Sequence, residues 1–452
     1  MIIEFAEQTY QRPSYGVWSN RLVNFFVEKA VGSESIRLPR PGLSSSYSVG
    51  AGPVRGIYQQ AGVFDGDKFT VSGTGVYREA SLIGAVAGSG VARFAASASQ
   101  LVIVTGGVAY VYDGSSFTAI SDTDLPEVSD VATLAGRFIY TQLDSDRFYW
   151  SAVNDATDID GLDFATAEGS PDATVCMAVL ADELFFYGSA STEIWFPTGD
   201  VDAPYQRTQG RRYTRGCAAQ SSVVQMDNTL IFVGNDRVVY RSESAPRRIS
   251  EHGIEESLRR CSDLPSATAF LASFDGHPFY VLNIPGQGSY AYDVSTGKWA
   301  EWSSYGRTTF RAQCAVIDDG VAYLGDADNG QVWVLSSEAY QDGSDPITGY
   351  ISAVAPVNSG VLFHYNMGLN CTRGVGNADQ PAPVVEMRYS DDGGRLWTNW
   401  VSASLGGVGR YDFKAIWKRL GKVKAPGRVF EFRITDPVLK VVRNLVVNEQ
   451  RL

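Results

Sequence analysis

Leu101-Val102-Ile103-Val104, a Gly106-Gly107 pair, then Val108-Ala109-Tyr110-Val111-Tyr112 is the stretch on which the fold turns. Two β-branched and aromatic runs, each short for a helix, flank a pair that tolerates positive φ. That is the signature of a hairpin. The plan recurs. Lys68 to Ser72 leads to Val76-Tyr77, Arg137 to Tyr140 to Phe148-Tyr149-Trp150, and Leu184 to Tyr187 to Glu193-Ile194-Trp195. Leu230 to Val233 leads to Val238-Val239-Tyr240, Phe279 to Leu282 to Tyr290-Ala291-Tyr292, and Val321 to Leu324 to Val332-Trp333. The closing aromatics return every ~35–50 residues, the spacing of propeller blades. One hairpin cannot bury both of its faces, but radially stacked neighbours can cover them.

Turn chemistry agrees. Asp-Gly pairs stand at 65–66, 113–114, 160–161, 275–276, 319–320 and 342–343, where the chain reverses or loops. One short helix is predicted within 248–261, with Ser250 as its cap. Beyond about Asp345 the pattern changes to longer alternating segments: Ile351 to Phe363, Val384 to Tyr389, Val429 to Thr435 and Leu439 to Val447. The expectation is all-β. Residues 1–49 form an N-terminal arm, 50–344 a β-propeller-like domain of repeated hairpins, and 345–452 an antiparallel sheet or sandwich platform with which the arm pairs.

Composition narrows the function. The chain has 452 residues and 44% hydrophobic side chains, enough for a sizeable core. Its net charge of −12 argues against a sequence-reading nucleic-acid binder, yet suits a conduit that must let DNA slide. Cys176, Cys217, Cys261, Cys314 and Cys371 are widely spaced and contain no CxxC, so neither a zinc ribbon nor a disulfide framework is signalled. Reduced thiols are expected. His252, His277 and His364 have no ligand-spaced partner, so no metal or cofactor is expected. The first residues carry neither a basic segment nor an apolar one of signal-peptide type, and no run is long enough to span a bilayer.

Three ordered segments resemble the packaged-DNA stabilisation proteins, or tail hubs and nozzles, of short-tailed phages. They are Asn20 to Glu28 with Arg40-Pro41-Gly42-Leu43; Gly52-Pro53-Val54-Arg55-Gly56-Ile57 running on to Gly75-Val76-Tyr77-Arg78; and Trp417-Lys418-Arg419-Leu420-Gly421 followed by Phe430 to Pro437. The resemblance spans nearly the whole chain. It implies a non-enzymatic virion protein, assembled in the host cytoplasm into a homo-oligomeric, typically hexameric, ring below the portal and its adaptor. Such a ring extends the channel for double-stranded DNA, helps retain the packaged genome and docks the distal needle, fibres or spikes. No membrane insertion is implied.

Other motifs weigh on the alternatives. Ser390, Asp392, Gly394 and Trp397 match the Asp-box pattern, in which a carboxylate staples a turn above a tryptophan. Sialidase-like propellers carry several such boxes, so a carbohydrate-active enzyme is one alternative; a general propeller scaffold for protein partners is another. A glycosidase needs paired carboxylates, or a tyrosine with carboxylate-binding arginines, and no spacing singles these out. Arg211-Arg212-Tyr213-Thr214-Arg215 reads as a loop or interface segment between glycines. Gly52 to Gly56 and Gly84 to Gly90 lack the Lys-Ser/Thr of a phosphate loop. Lys414, Lys418, Arg419, Lys422, Lys424 and Arg428 form a basic run. Its plain reading is a solvated strand face; the sharper one is a ring-to-ring contact or a weak contact to DNA phosphate in a channel.

Overall fold

The computed structural model describes residues 1–10, 20–29, 35–167, 169, 172–242 and 245–448. Each recurring hairpin is the central pair of a four-stranded antiparallel unit, and seven such units among the described residues, here blades 1 to 7, follow one another along the chain; the first five are separate sheets and the last two extend into larger ones. Blade 1 spans 54–85, blade 2 93–119, blade 3 128–166 and blade 4 174–213; blade 5 spans 224–248, blade 6 268–302 and blade 7 312–336. The turn into the second strand of blade 6 is Asp275-Gly276, and that of blade 7 is Asp319-Gly320. All four residues have positive φ, the conformation that matches the twist of a two-residue hairpin.

Neighbouring blades bury aromatic faces against each other. Phe148 of blade 3 stacks on Phe186 of blade 4 at 4.4 Å, and Tyr187 of blade 4 meets Phe232 of blade 5 at 4.8 Å. The core is thus a series of clusters between blades. The first strands lie innermost and enclose a cavity of about 820 Å³.

The fourth strand of blade 7 comes from the other end of the chain. Gly42–Ser48 pairs antiparallel with Gln331–Ser336. This segment was expected in the arm, and it is instead the strand that closes the ring. The closing seam is tight. A Cβ on Gly330 would lie 2.1 Å from the Val49 carbonyl oxygen, and one on Gly52, at φ +82°, would lie 2.0 Å from the Asn329 backbone.

The remainder of the arm joins two sheets packed face to face. One has the order Phe25–Lys29, Ser35–Pro39, Val442–Val447, Val361–Cys371 and Ile416–Lys424, with Ile2–Glu4 added beside Val442–Val447. The other continues blade 6. From Lys298–Trp302 it runs through Leu22–Val23 to Gly349–Pro356, Gly427–Ile434, Val384–Ser390 and Val401–Ser404, giving nine strands in all. Phe5, Leu22 and Phe25 from the N-terminal region share one core with Trp417, Phe430 and Phe432.

The predicted helix is His252–Arg260, and its N-cap is Glu251 rather than Ser250. The Ser250 hydroxyl instead donates to Glu255 Oε1 (2.9 Å) and accepts the Val239 amide (3.0 Å), pinning the helix to blade 5.

Candidate functional site

Propellers commonly act from their central cavity, so its chemistry comes first. Polar groups line it, and its arginine and glutamines are engaged. Arg55 donates to the carbonyls of Gly90 (2.6 Å) and Gly73 (2.9 Å), Gln220 to that of Ser129 (2.8 Å), and Gln313 to that of Val54 (2.7 Å). These bonds tie blade to blade. The lining contains no Asp, Glu, His, Cys or Lys among the described residues, so it offers no general acid or base. No group of three or more metal-ligating side chains is found among the described residues.

The Asp-box residues form one turn. Ser390 Oγ donates to Asp392 Oδ1 (2.7 Å) and accepts the Gly394 amide (2.8 Å). Asp392 Oδ1 accepts the amides of Arg395 and Leu396, both at 3.0 Å, and Trp397 Nε1 donates to the Gly394 carbonyl at 3.0 Å. The Leu396 amide first, then the Ser390 hydroxyl, hold Asp392 below the usual carboxylate range. The turn's next function was not visible in sequence. It presents Trp397 to Arg388, which lies 4.6 Å from that ring and 4.5 Å from Trp400, while Arg433 covers Trp400 at 4.5 Å. Glu431 and Glu386 pair with these arginines, so charge and ring alternate along one face of the sandwich.

The basic run divides. Arg428 does not belong to an exposed cluster: it is 1% exposed, paired with Asp391 (2.6 and 2.8 Å), and 3.7 Å from the Tyr389 ring. The Tyr389 and Phe430 rings and the Asp391 carboxylate hold its guanidinium inward, which a count of positive charges misses. Lys414 is half-buried and also engaged. Lys418, Arg419, Lys422 and Lys424 are exposed on the strand Ile416–Lys424.

Arg211 to Arg215 is dispersed as well. Arg211 to Tyr213 end the outer strand Tyr205–Tyr213 of blade 4, and Thr214 and Arg215 lie in the loop that follows. Arg211 bonds Glu183, Arg212 the Gly169 carbonyl, and Arg215 pairs with Asp236 at 3.5 Å. All five cysteines are free thiols, three of them buried.

The densest buried polar group lies where propeller and sandwich meet. Arg40 and Asp342, both with fully buried side chains, form two bonds of 2.8 and 2.6 Å. Arg40 also donates to Asn24 Oδ1 (2.8 Å), and Ser304 Oγ donates to Asp342 Oδ2 (2.9 Å). Lys440 donates to the Ile347 carbonyl nearby (2.7 Å). Burial, then the Arg40 charge, push its ammonium down to about 7. His277 holds the arm to blade 6, with Nε2 2.7 Å from Glu28 and Nδ1 2.9 Å from Asp293. Burial works against its charge, but bonds to Glu28 and then Asp293 raise it above the ordinary histidine value. Arg40 lies in a segment that carries the family resemblance. Asp342 had a signal only as a turn residue, and the pairing joins positions remote in sequence.

A seven-bladed propeller locked to a sandwich by strands from the N-terminus is the architecture that the family comparison then matches in two parts. The model for bacteriophage P22 Gp10, β-propeller, covers residues 19–340, and that for bacteriophage P22 Gp10, β-sandwich, covers 350–449. The chain belongs to the bacteriophage P22 Gp10 family. Members of the P22 Gp10 family are phage tail structural proteins, so this chain is one. A search of the curated proteins finds no match. Similar solved structures include the Cps50 (Swd1) β-propeller domain of Myceliophteria thermophila, at 8% identity and TM-score 0.43 over 65% of this chain and 100% of that one. BamB of Moraxella catarrhalis, at 10% identity and TM-score 0.41, matches over 73% and 97%. The computationally designed Ika8 protein, at 14% identity and TM-score 0.39, matches over 74% and 98%. These likenesses carry no inference about what the chain does.

Proposed function

We propose that the chain is a ring-forming hub or nozzle of a short phage tail, present in the virion as a hexamer beneath the portal and its adaptor. The ring extends the DNA channel, helps hold the packaged genome and gives the distal needle, fibres or spikes their attachment. The observation that carries this reading is the match of the P22 Gp10 models over both domains. The architecture supports a mechanical role. The continuous nine-stranded sheet and the buried Arg40–Asp342 pair couple propeller to sandwich, so load on one domain passes to the other without a hinge. The work is done by rigid shape and contacts; no catalytic step is assigned. An acidic chain lets a polyanion pass without adsorbing, which suits a conduit.

Inactivating the gene in the phage tests the role. The expected particles package DNA and then lose it, lack distal tail parts, and regain both when the protein is supplied. Infective, DNA-filled particles without the protein would refute it.

A further inference from the structure

The sandwich carries a two-stranded ribbon whose surface is unlike the rest of the molecule. The first half of Val361–Cys371 pairs with the end of Ile416–Lys424, aligning Val361 with Lys424 and Phe363 with Lys422. Aligned residues of an antiparallel pair share a face. Val361, Leu362, Phe363 and Tyr365 are 41%, 43%, 51% and 69% exposed, and the Phe363 and Tyr365 rings stack 6.1 Å apart. Ile416–Lys424 ends its sheet, so its outer side has no strand beside it among the described residues. Lys418, Arg419, Lys422 and Lys424 make no ion pair among the described residues, although the chain has 50 acidic against 38 basic side chains. Val361, Phe363 and Tyr365 share that face with Lys422 and Lys424, while Leu362, aligned with the buried Val423, is on the other; apolar side chains interleaved with unpaired cations mark a surface that a partner covers.

The apolar part selects the class of partner. A DNA backbone would use the lysines but gains nothing from Val361 or Phe363. A protein surface that is both acidic and apolar uses both. This chain bears one where the connection between blades 2 and 3 touches a loop of blade 3: the Ile159 amide donates to Asp122 Oδ2 at 3.2 Å. Asp122, Asp124, Asp155, Asp158 and Asp160 gather there, with no ion-pair partner among the described residues. Beside them Leu162 is 83% and Val153 56% exposed.

We propose that the ribbon formed by 361–365 and 418–424 docks on the blade 2–3 connection, 122–124, and the blade-3 loop, 153–162, of a second copy of this chain. The inference rests on the ring reading above and gives that ring its contact. The two surfaces differ, so the contact is head-to-tail, the kind that closes into a ring when the rotation allows. Lysine–aspartate attraction sets the register, and the apolar side chains are removed from water at its centre.

The test uses the chain assembled in phage particles. A photo-crosslinking residue in place of Tyr365 is expected to join the 122–163 region of another copy. Lys422→Asp with Lys424→Asp, and separately Asp158→Lys with Asp160→Lys, are each expected to cut the copies per particle about tenfold. The chain carrying all four substitutions is expected to recover to within about twofold, since every contact regains opposite charges. Unchanged melting curves of the purified variants separate loss of contact from loss of fold. Crosslinks only to DNA or to another virion protein, or reversed variants that incorporate normally, overturn this contact and leave the tail role standing. Absence of the unaltered chain from particles overturns the tail role itself.

Discussion

Lys440 shows what the junction costs and what it fixes. Its ammonium is 3% exposed, donates to the Ile347 carbonyl, and is held down to about 7 by burial. An unfolded lysine keeps its proton to about 10.4. Between those values the unfolded chain binds more protons than the folded one, so stability rises with pH. The expected slope is about 1.4 kcal/mol per pH unit between pH 7 and 10, from this one group. Lys440→Met removes the titrating group. Urea unfolding at several pH values, read as the difference between unaltered and substituted protein, is expected to show the slope disappear. Equal slopes in both would mean that Lys440 keeps its charge without penalty. His277 has the opposite sign: its raised value contributes stability below the unfolded histidine value, which is lost as pH rises through the folded one. Neither group was distinguishable in sequence from an ordinary charged residue, because their environment is made by strands far apart in the chain. The Asp-box was legible, since its bonds lie within a few residues. Arg428 was misread because its partner Asp391 is 37 positions away.

At the scale of elements, the recurring hairpins were visible because each is local: one apolar run, one turn, one aromatic run. The outer strands were not. Gly42–Ser48 contains three serines in a row and is expected in the N-terminal arm, yet it closes blade 7. Its place is dictated by the partner strand Gln331–Ser336, whose edge would otherwise stand open. The seam depends on close backbone approach at Gly330. Gly330→Ala forces the Val49 carbonyl away and is expected to destabilise the protein by about 1–3 kcal/mol. Hydrogen exchange should rise first in 42–48 and 331–336. A change spread evenly over all blades would show that the seam is not the weak point. The same logic explains the helix: its position was predicted, but Ser250 serves the blade rather than the helix end.

The whole molecule is one interlocked body rather than two beads. Strands from the N-terminus complete the ring at Gly42–Ser48 and the sandwich at Ile2–Glu4, Phe25–Lys29 and Ser35–Pro39. The sandwich core draws Phe5, Leu22, Phe25 and Val27 from that region. A fragment of residues 345–452 therefore lacks part of its core and several strands. It is expected to show no cooperative thermal transition by circular dichroism, and to gain one when a peptide of residues 1–41 is added. A fragment that melts cooperatively alone would make the sandwich independent of the arm. Separating the two domains requires unzipping a continuous sheet. The sequence foreshadowed the meeting of the chain ends but not the division of the arm between two domains, since each short strand fits either partner.

Cryo-electron microscopy of intact particles decides whether this chain builds a ring around the DNA path of a phage tail. The expected image is a sixfold ring of seven-bladed propellers and sandwiches below the adaptor, with an axial opening wide enough for duplex DNA. Particles in which this chain is absent from the tail axis, or is present as separated copies enclosing no channel, would contradict it.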